Sequence, residues 1–256
     1  MGWRVVGACV RGTSHERTDT PCQDAWDHRV LEGGCVVAVA DGAGSARLSH
    51  KGATLAVRWA CEVLADALRA EVADPAEWRA CVGEAFALAR RRLEEEAKIK
   101  ALPLHELACT LTCVVCAERL TAVGQVGDGL VVAQWTDDAS LESLIVPQRG
   151  EYANETVFLT QPLEGHAAPS VQVFERVARG LTVITDGLLR LATHVREEYR
   201  PHPAFFRPFL DLATRPDVPI EEANRQIAEF LASPRVCERT NDDKTLVALW
   251  HDGVEG

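Results

Sequence analysis

The sequence lacks the features that would place it among membrane, fibrous or disordered proteins. No stretch reaches the roughly 18 uncharged apolar residues that a membrane helix needs, and the start, MGWRVVGACVRG, has no apolar run of the secretory kind. Glycine and proline number only 18 and 12 among 256 residues, which excludes collagenous and low-complexity chains. We therefore expect a soluble globular protein that stays in the cytoplasm and makes no contact with a membrane.

Positive charge is also scarce. Lys and Arg number 27 against 38 Asp and Glu, so the net charge is −11, and this charge repels the phosphate backbone of nucleic acids. Nucleic acid is therefore not an expected partner. The nine cysteines are an odd number and lie in apolar segments such as GGCVVAVA. Without a secretory signal, this pattern predicts reduced thiols in the core rather than a disulfide framework.

The order of predicted elements indicates one α+β domain over residues 1–256. A chain of this length corresponds to one large domain or two small ones, and it has no internal repeat or linker that would divide it. Residues 107–146 read as an antiparallel meander, and 147–170 as an irregular excursion. Short β-branched runs predict strands at 3–10, 35–40, 107–117, 120–126, 130–135, 143–146, 171–177, 181–185 and 245–250. Helical spacing predicts helices at 49–72, 75–98, 188–198, 204–213 and 220–231.

Four aspartates stand where predicted strands begin or end. They are Asp24 in PCQDAW, Asp41 in VVAVADGAG, Asp186 in LTVITDG and Asp242 in RTNDDKTLVAL. Carboxylates that project from rigid strand ends make an oxygen-rich site when those ends meet, and hard divalent cations favour such sites. Grouped carboxylates repel one another unless a cation or protons compensate them. The four residues together therefore indicate a site for Mg²⁺ or Mn²⁺.

Five segments, taken in order, resemble the metal-dependent serine/threonine protein phosphatases of type 2C, and more closely a bacterial branch with GTSH and CQDA near the N-terminus. These segments are RGTSHERTDTPCQDAW, VVAVADGAGSARLSHKGATLA, AVGQVGDGLVVA, LTVITDGLL and NDDKTLVAL, which together span positions 11–249. The resemblance implies two antiparallel sheets packed as a β-sandwich and flanked by helix pairs, in the order α-β-β-α.

The resemblance also implies a set of metal ligands for two ions. Asp41 would bridge both ions, and the Gly42 carbonyl would complete the shell of the second. Asp24 would lie near that second ion and contact it directly or through water. Asp186 and Asp242 would bind the first ion. Asp128 in VGDG corresponds to a position that holds a third, weaker ion together with Asp186. The alternative Asp243 is less favoured than Asp242, because the family places this ligand three positions before the threonine, here Thr245.

The implied activity is hydrolysis of phosphoserine and phosphothreonine in proteins, opposing a serine/threonine kinase. A water that bridges the two ions would attack phosphorus directly, with Asp41, Asp186 and Asp242 as the catalytic aspartates. Two departures stand out: Ala43 occupies the place of a histidine proposed as the general acid in eukaryotic relatives, and the usual phosphate-binding arginine has no clean match. Arg17 and His15 are the candidates for a contact with the substrate phosphate.

Other interpretations remain open at this point. The missing histidine also fits a non-catalytic, phosphatase-like module that binds or regulates a partner, and a phosphatase of a small phosphorylated metabolite would share every site residue. A zinc site at His105, Cys109, Cys113 and Cys116 is disfavoured. The β-branched residues around them predict a strand, which would direct Cys113 and Cys116 to opposite faces.

Overall fold

Antiparallel strands form two five-stranded sheets in the computed structural model, which describes residues 2–148 and 156–253. Sheet one has the order β1-β12-β9-β6-β7, sheet two has the order β2-β3-β4-β5-β8, and β10 and β11 form a small ribbon. The strands are β1 (Trp3–Val10), β2 (Ala25–Leu31), β3 (Gly34–Ala40), β4 (Leu111–Ala117), β5 (Thr121–Val126), β6 (Leu130–Trp135), β7 (Leu141–Ile145), β8 (Ser170–Phe174), β9 (Ala178–Ile184), β10 (Thr193–His194), β11 (Arg200–Pro201) and β12 (Lys244–His251).

Helices cover the outer face of each sheet, so the predicted α-β-β-α sandwich is confirmed. The second and third helices pack on sheet two, and the fifth and sixth pack on sheet one. The helices are α1 (Thr13–Thr18), α2 (Ser49–Arg69), α3 (Pro75–Ile99), α4 (Leu189–Ala192), α5 (Pro203–Ala213), α6 (Ile220–Leu231) and α7 (Pro234–Cys237). None of the helices within the described residues has a stretch long and apolar enough to cross a membrane.

The strand sequences explain why three apolar layers form. In β3, the run GCVVAVA is buried throughout, and alternate residues of a strand point to opposite faces. Val37 and Val39 therefore join the layer between the sheets, while Val36 and Ala38 join the layer beneath α2 and α3. A third layer lies between sheet one and the helices α5 and α6. Two sheets with apolar inner and outer faces need helices on both sides.

The predicted meander over residues 107–146 is wrong in its connectivity. Strands β4 and β5 pair within sheet two, whereas β6 and β7 pair within sheet one. The chain changes sheets at Gly127, whose φ of +117° is a conformation that side chains rarely adopt. The stretch before β4 is also not a strand from its start, because Leu104–Leu107 forms a 3₁₀ turn. Alternating apolar patterns identify strands but do not show which sheet a strand joins.

The helix predicted over 188–198 is also wrong beyond Ala192. The chain leaves α4 and enters the β10–β11 ribbon, which reverses direction through Glu198 and Tyr199, both at positive φ. Strand β2 was missed, because its sequence AWDHRVL carries charged and polar side chains and lies at an edge of sheet two. There Arg29 forms ion pairs with Asp27 and Glu62.

The predicted irregular excursion covers residues 147–170. Residues 149–155 lie outside the described residues, so only the rest of this segment has a described structure. The described remainder is irregular apart from a 3₁₀ turn at Gly165–Ala167 and the start of β8. Val157 and Leu159 are buried in the layer beneath α2 and α3. This segment therefore packs against the core of the sandwich.

Candidate active site

Two of the predicted aspartates are neighbours at one end of sheet two. Asp24 directly precedes β2 and Asp41 directly follows β3. The flanking residues Ala25 and Ala40 face each other across the antiparallel pair. An antiparallel register of this kind brings the residue before one strand beside the residue after the other. Strand pairing therefore places both carboxyl groups at the same edge.

Three further aspartates gather at one end of sheet one. Ile184 in β9 pairs with Leu130 of β6 on one side and with Leu246 of β12 on the other. Asp128 lies two residues before β6, Asp186 follows β9, and Asp242 precedes β12. The three chain segments next to this row of paired residues each carry one aspartate. Asp186 follows β9, which is the central one of the three strands.

Two threonine hydroxyl groups join the two sets of carboxylates. Thr245 Oγ1 and Thr185 Oγ1, both from sheet one, donate to Asp24 Oδ2 at 2.7 and 2.9 Å. Asp24 is only 7% exposed, and its second oxygen, Oδ1, is buried without a hydrogen-bond partner among the described residues. Burial raises the pKa of Asp24 to about 7, although the Thr245 hydrogen bond opposes this.

The pKa of Asp41 is affected by the other carboxyl groups of the cluster. Its backbone is fixed by Thr110, whose hydroxyl oxygen accepts from Asp41 N–H at 2.9 Å and whose N–H donates to Asp41 O at 2.7 Å. Burial raises the pKa of Asp41 well above its usual value, and the charges of Asp24, Asp186 and Asp128 raise it further. The Asp41 carboxyl group is therefore close enough to carboxylates from both sheets to be affected by their charge.

The pKa values of two further carboxyl groups, those of Asp128 and Asp242, are also raised, although the charge of His15 opposes the shift at Asp242. Burial and then the charge of Asp186 raise the pKa of Asp128 to about 6, while a hydrogen bond from Thr156 Oγ1, 2.8 Å from Asp128 Oδ2, opposes the shift. Asp242 is exposed as a residue, yet the protein around its carboxyl group raises its pKa, and Asp186 adds repulsion. Asp186 Oδ1 is buried and has no hydrogen-bond partner among the described residues.

Asp243 differs sharply from its neighbour Asp242. Asp243 is 3% exposed, and its two oxygens each accept a backbone N–H at 2.6 Å, from Gly12 and from Gln23. His15 Nδ1 also lies 3.0 Å from Asp243 Oδ1. The Asp243 carboxylate thus joins the N-terminal loops to the start of β12. Among the described residues, the Asp242 carboxylate accepts a single hydrogen bond, from the N–H of Asp243 at 2.9 Å.

Gly42 follows Asp41 in a space that admits no side chain. A Cβ atom there would lie 2.7 Å from the Gln23 carbonyl oxygen and 2.8 Å from Ser49 Cβ, both closer than normal packing allows. Gly42 also forms an isolated bridge with Cys109. The close approach of these segments explains why the Asp-Gly pair is needed here beyond its turn propensity.

The two candidates for a phosphate contact are placed differently. His15 lies on α1 beside Asp243, and its charge affects Asp242. Arg17 is exposed on the same short helix and makes no hydrogen bond or ion pair with any described residue. The structure therefore brings His15 to the edge of the acidic cluster and leaves Arg17 in solvent.

The disfavoured zinc interpretation can be compared with the strand geometry. Cys113 belongs to the layer beneath α2 and α3, whereas Cys116 belongs to the layer between the sheets. The two side chains point to opposite faces of β4, as predicted. All nine cysteines are free thiols.

The residues that sequence reasoning missed are those that hold the carboxylates in place. Thr185 and Thr245 bond to Asp24, Thr110 fixes Asp41, and Asp243 gathers three partners. One signal was available, because Thr185 directly precedes Asp186 and both threonines are β-branched residues at strand ends. Nothing local indicated that both hydroxyl groups would reach across to Asp24.

The cluster has suitable donors for a hard cation but no preformed cage. Among residues 2–148 and 156–253, no three His, Cys, Asp or Glu side chains are already arranged so that they could hold a metal ion. The donor chemistry nevertheless fits Mg²⁺ or Mn²⁺, which favour carboxylate and carbonyl oxygens. The orphaned buried oxygens of Asp24 and Asp186 are the specific observation that supports this fit.

Comparison with known proteins identifies the family of the chain. A family model described as protein phosphatase 2C matches residues 11–232. Serine/threonine-protein phosphatase 3 of Escherichia coli K12 is 35% identical over 259 residues, which cover 98% of this chain and 99% of that protein.

Solved structures of low sequence identity share the fold. The catalytic domain of the serine/threonine phosphatase PstP, in complex with two manganese ions, aligns with a TM-score of 0.62 at 16% identity, covering 97% of this chain and 98% of that one. PppA, a regulatory component of T6SS in Pseudomonas aeruginosa, aligns with a TM-score of 0.65 at 14% identity, covering 98% of each chain. The chain belongs to the protein phosphatase 2C family and is a protein serine/threonine phosphatase.

Proposed function

We propose that this phosphatase depends on two divalent cations, Mg²⁺ or Mn²⁺, held by the clustered aspartates. Asp41 would contact both ions. Asp24 and the Gly42 carbonyl would complete one shell, and Asp186 and Asp242 the other. Asp128, beside Asp186 at the end of sheet one, would hold a third and weaker ion with it.

The main support for this proposal is that several aspartate carboxyl groups are buried close to one another. Asp24, Asp41 and Asp128 are raised in pKa chiefly by burial, with added repulsion from neighbouring carboxylates. Buried carboxylates without partners are unfavourable unless protons or cations neutralise them. The fold gathers carboxyl groups from both sheets. Asp24 Oδ1 and Asp186 Oδ1 are buried without a hydrogen-bond partner among the described residues, and such oxygens are suited to bind a cation.

The hydrogen bonds of the adjacent aspartates support Asp242 over Asp243 as the ligand. Asp243 already accepts two backbone hydrogen bonds and faces His15, so a cation would have to replace these partners. Asp242 has one oxygen engaged by a single N–H and faces Asp186. We therefore assign Asp242 as the ligand and Asp243 as the support that positions it.

Bound cations would lower the pKa of water and neutralise charge on the phosphoryl oxygens. The protein's own residues would position that chemistry: the threonine hydroxyl groups orient Asp24, and Thr110 holds the backbone of Asp41. A protein nucleophile is not required. Cys22, the nearest thiol in sequence to Asp24, has its pKa raised by the Cys9 contact, by burial and by the surrounding acids, which makes it a poor nucleophile.

The substrate we propose is phosphoserine or phosphothreonine in proteins phosphorylated by an opposing serine/threonine kinase. The support is the 35% identity to a serine/threonine-protein phosphatase over nearly the full length of both chains. The exposed position of Asp242 leaves one side of the cluster open to a bulky substrate.

The test is hydrolysis of p-nitrophenyl phosphate and of a phosphothreonine peptide by the purified protein with Mn²⁺, with Mg²⁺ and with EDTA. Asp41→Asn should lose at least about a hundredfold in kcat. The matched control is Asp66→Asn, which alters an exposed ion pair with Arg69 and should retain full turnover.

The outcomes separate the remaining interpretations. Turnover that persists in EDTA, or in Asp41→Asn, would contradict the metal mechanism. Confirmed Mn²⁺ binding with no release from either substrate would favour the non-catalytic module. Faster turnover of a small phosphorylated metabolite than of any phosphopeptide would favour the metabolite phosphatase.

A further inference from the structure

A groove on the outer surface, away from the layer between the sheets, has no assigned role. It has a volume of about 660 Å³ and lies among helices α5, α6 and α7, which cover sheet one. Its apolar lining includes Phe205, Phe209 and Phe230. The rings meet edge-on or tilted, with centroids 5.1 to 6.1 Å apart. A rigid aromatic wall of this kind can receive an apolar side chain.

The rim of the groove is strongly basic in a protein whose net charge is −11. Four arginines line it, Arg190, Arg215, Arg235 and Arg239, against one lining carboxylate, Asp211. All four arginines are exposed. Arg215 pairs with Asp217 at 2.6 Å, but the other three form no ion pair within the described part of the chain. The side chains that line the groove therefore carry a net positive charge, opposite in sign to the net charge of the protein as a whole.

The basic rim adjoins the acidic cluster along the chain. Arg190 is four residues after Asp186, through a 3₁₀ turn and the start of α4, so their Cα atoms are separated by roughly 6 to 8 Å. Arg239 is three residues before Asp242, a separation of at most about 11 Å. Two to four residues of an extended peptide cover such distances.

We propose that this groove docks an acidic segment of the phosphoprotein substrate, with an apolar side chain of that segment against the phenylalanines. This proposal rests on the proposed function and adds a substrate class: phosphoserine or phosphothreonine flanked by Asp or Glu and an aliphatic or aromatic residue. Charge complementarity is the argument for this partner, because acidic side chains would meet three arginines that form no ion pair with any described residue.

The spread of the charges favours a peptide over a compact anion. The three unpaired arginines lie on two separate segments, with Arg190 on α4 and the other two at α7 and just beyond it. The apolar wall lies between α5 and α6. An extended chain with charges and an apolar group at different positions can meet all of these, whereas a small anion would engage only part of them.

The test compares two phosphothreonine peptides, one flanked on both sides by Glu-Glu-Leu-Glu and one by Gln-Gln-Leu-Gln. We expect kcat/KM to be about tenfold higher for the acidic peptide, since three exposed charge contacts each contribute a factor of about two. The preference should shrink as ionic strength rises. In the double variant Arg235→Glu/Arg239→Glu, the ratio of kcat/KM for the acidic peptide to kcat/KM for the neutral peptide should fall to about one or below.

Arg207→Glu is the matched control. Arg207 is exposed on α5 but does not line the groove, and its reversal should preserve the preference. An equal loss in this variant, or no preference in the wild-type protein that hydrolyses p-nitrophenyl phosphate, would overturn the docking proposal and leave the proposed function intact.

A second measurement keeps the two proposals separate. The unphosphorylated acidic peptide, fluorescein-labelled, should bind the protein in EDTA, and it should bind the double variant at least about fivefold more weakly. This result does not depend on turnover. A lone naphthoate ion that displaces the peptide at equal concentration would make the groove a small-anion pocket. A dimer in sedimentation that is lost in the double variant would assign the groove to a second copy of the chain. Either of these outcomes would overturn docking of a substrate segment.

Discussion

Adjacent Asp242 and Asp243 should respond in opposite ways to the same substitution. In Asp243→Asn the side chain keeps its size, but an amide NH₂ replaces one of two oxygens that accept backbone N–H groups at 2.6 Å, from Gly12 and Gln23. One buried donor then loses its acceptor, and the other hydrogen bond loses its charge. Hydrogen bonds to charged groups contribute about 1.5–3 kcal/mol each, and an unsatisfied buried group costs about 1–3 kcal/mol. We expect a loss of about 3–5 kcal/mol in the free energy of unfolding.

For a chain of this size, each kcal/mol shifts Tm by about 2–4 °C, so Asp243→Asn should lower Tm by roughly 6–20 °C. Asp242→Asn should leave Tm within about 3 °C, because Asp242 is exposed and the substitution relieves its repulsion with Asp186. Thermal denaturation in EDTA isolates this comparison from any bound cation. Asp242→Asn, and not Asp243→Asn, should raise the half-saturating Mn²⁺ concentration directly. A stable Asp243→Asn that fails to bind Mn²⁺, beside an unaffected Asp242→Asn, would refute the assignment.

Three further predictions concern the cation and its surroundings. Mn²⁺ at a hundredfold over its Kd should add about 2.7 kcal/mol per site to the free energy of unfolding, or about 5.4 kcal/mol for two sites, and raise Tm by roughly 10–20 °C in calorimetry; a Tm indifferent to Mn²⁺ and EDTA would count against the cluster. Gly42→Ala should lose about 1–3 kcal/mol through steric overlap, whereas Gly83→Ala, in open space within α3, should gain up to about 1 kcal/mol; equal denaturation midpoints would contradict the packing described. Thr245→Val removes a hydrogen bond to Asp24 and should weaken Mn²⁺ activation about tenfold. Thr182→Val, at a buried hydroxyl without a partner in the described structure, should leave activation unchanged.

Elements with strong internal patterns could be predicted from the sequence. Residues 130–135 and 220–231 form a strand and a helix with the predicted bounds. The first begins with a continuous apolar run, LVVA, that is buried on both faces, and the second has apolar residues at helical spacing on its buried face. The failures occur where tertiary contacts outweigh local pattern. Strand β2 is polar and is held at a sheet edge by pairing with β3, and the helical pattern after Ala192 is overridden by the β10–β11 ribbon.

The candidate site likewise contains some residues that the sequence could single out and others that it could not. Asp-Gly pairs at strand ends are visible locally, so Asp41 and Asp186 could be singled out. The choice between Asp242 and Asp243 could not be made from local physics, since the two are neighbours of the same type. The resemblance to the family favours Asp242, and the burial of Asp243 with its backbone donors from Gly12 and Gln23 supports the same choice. The basic groove could not be predicted either, because Arg190 and Arg239 are far apart in sequence.

The number of cations that the aspartate cluster binds is the quantity on which the proposed metal site depends. Isothermal titration of the metal-free protein with Mn²⁺ should give about two tight equivalents per chain, and Asp41→Asn should lose both, because its carboxylate would contact each ion. Titration that shows no Mn²⁺ binding, or the same stoichiometry and affinity in Asp41→Asn, would contradict the account.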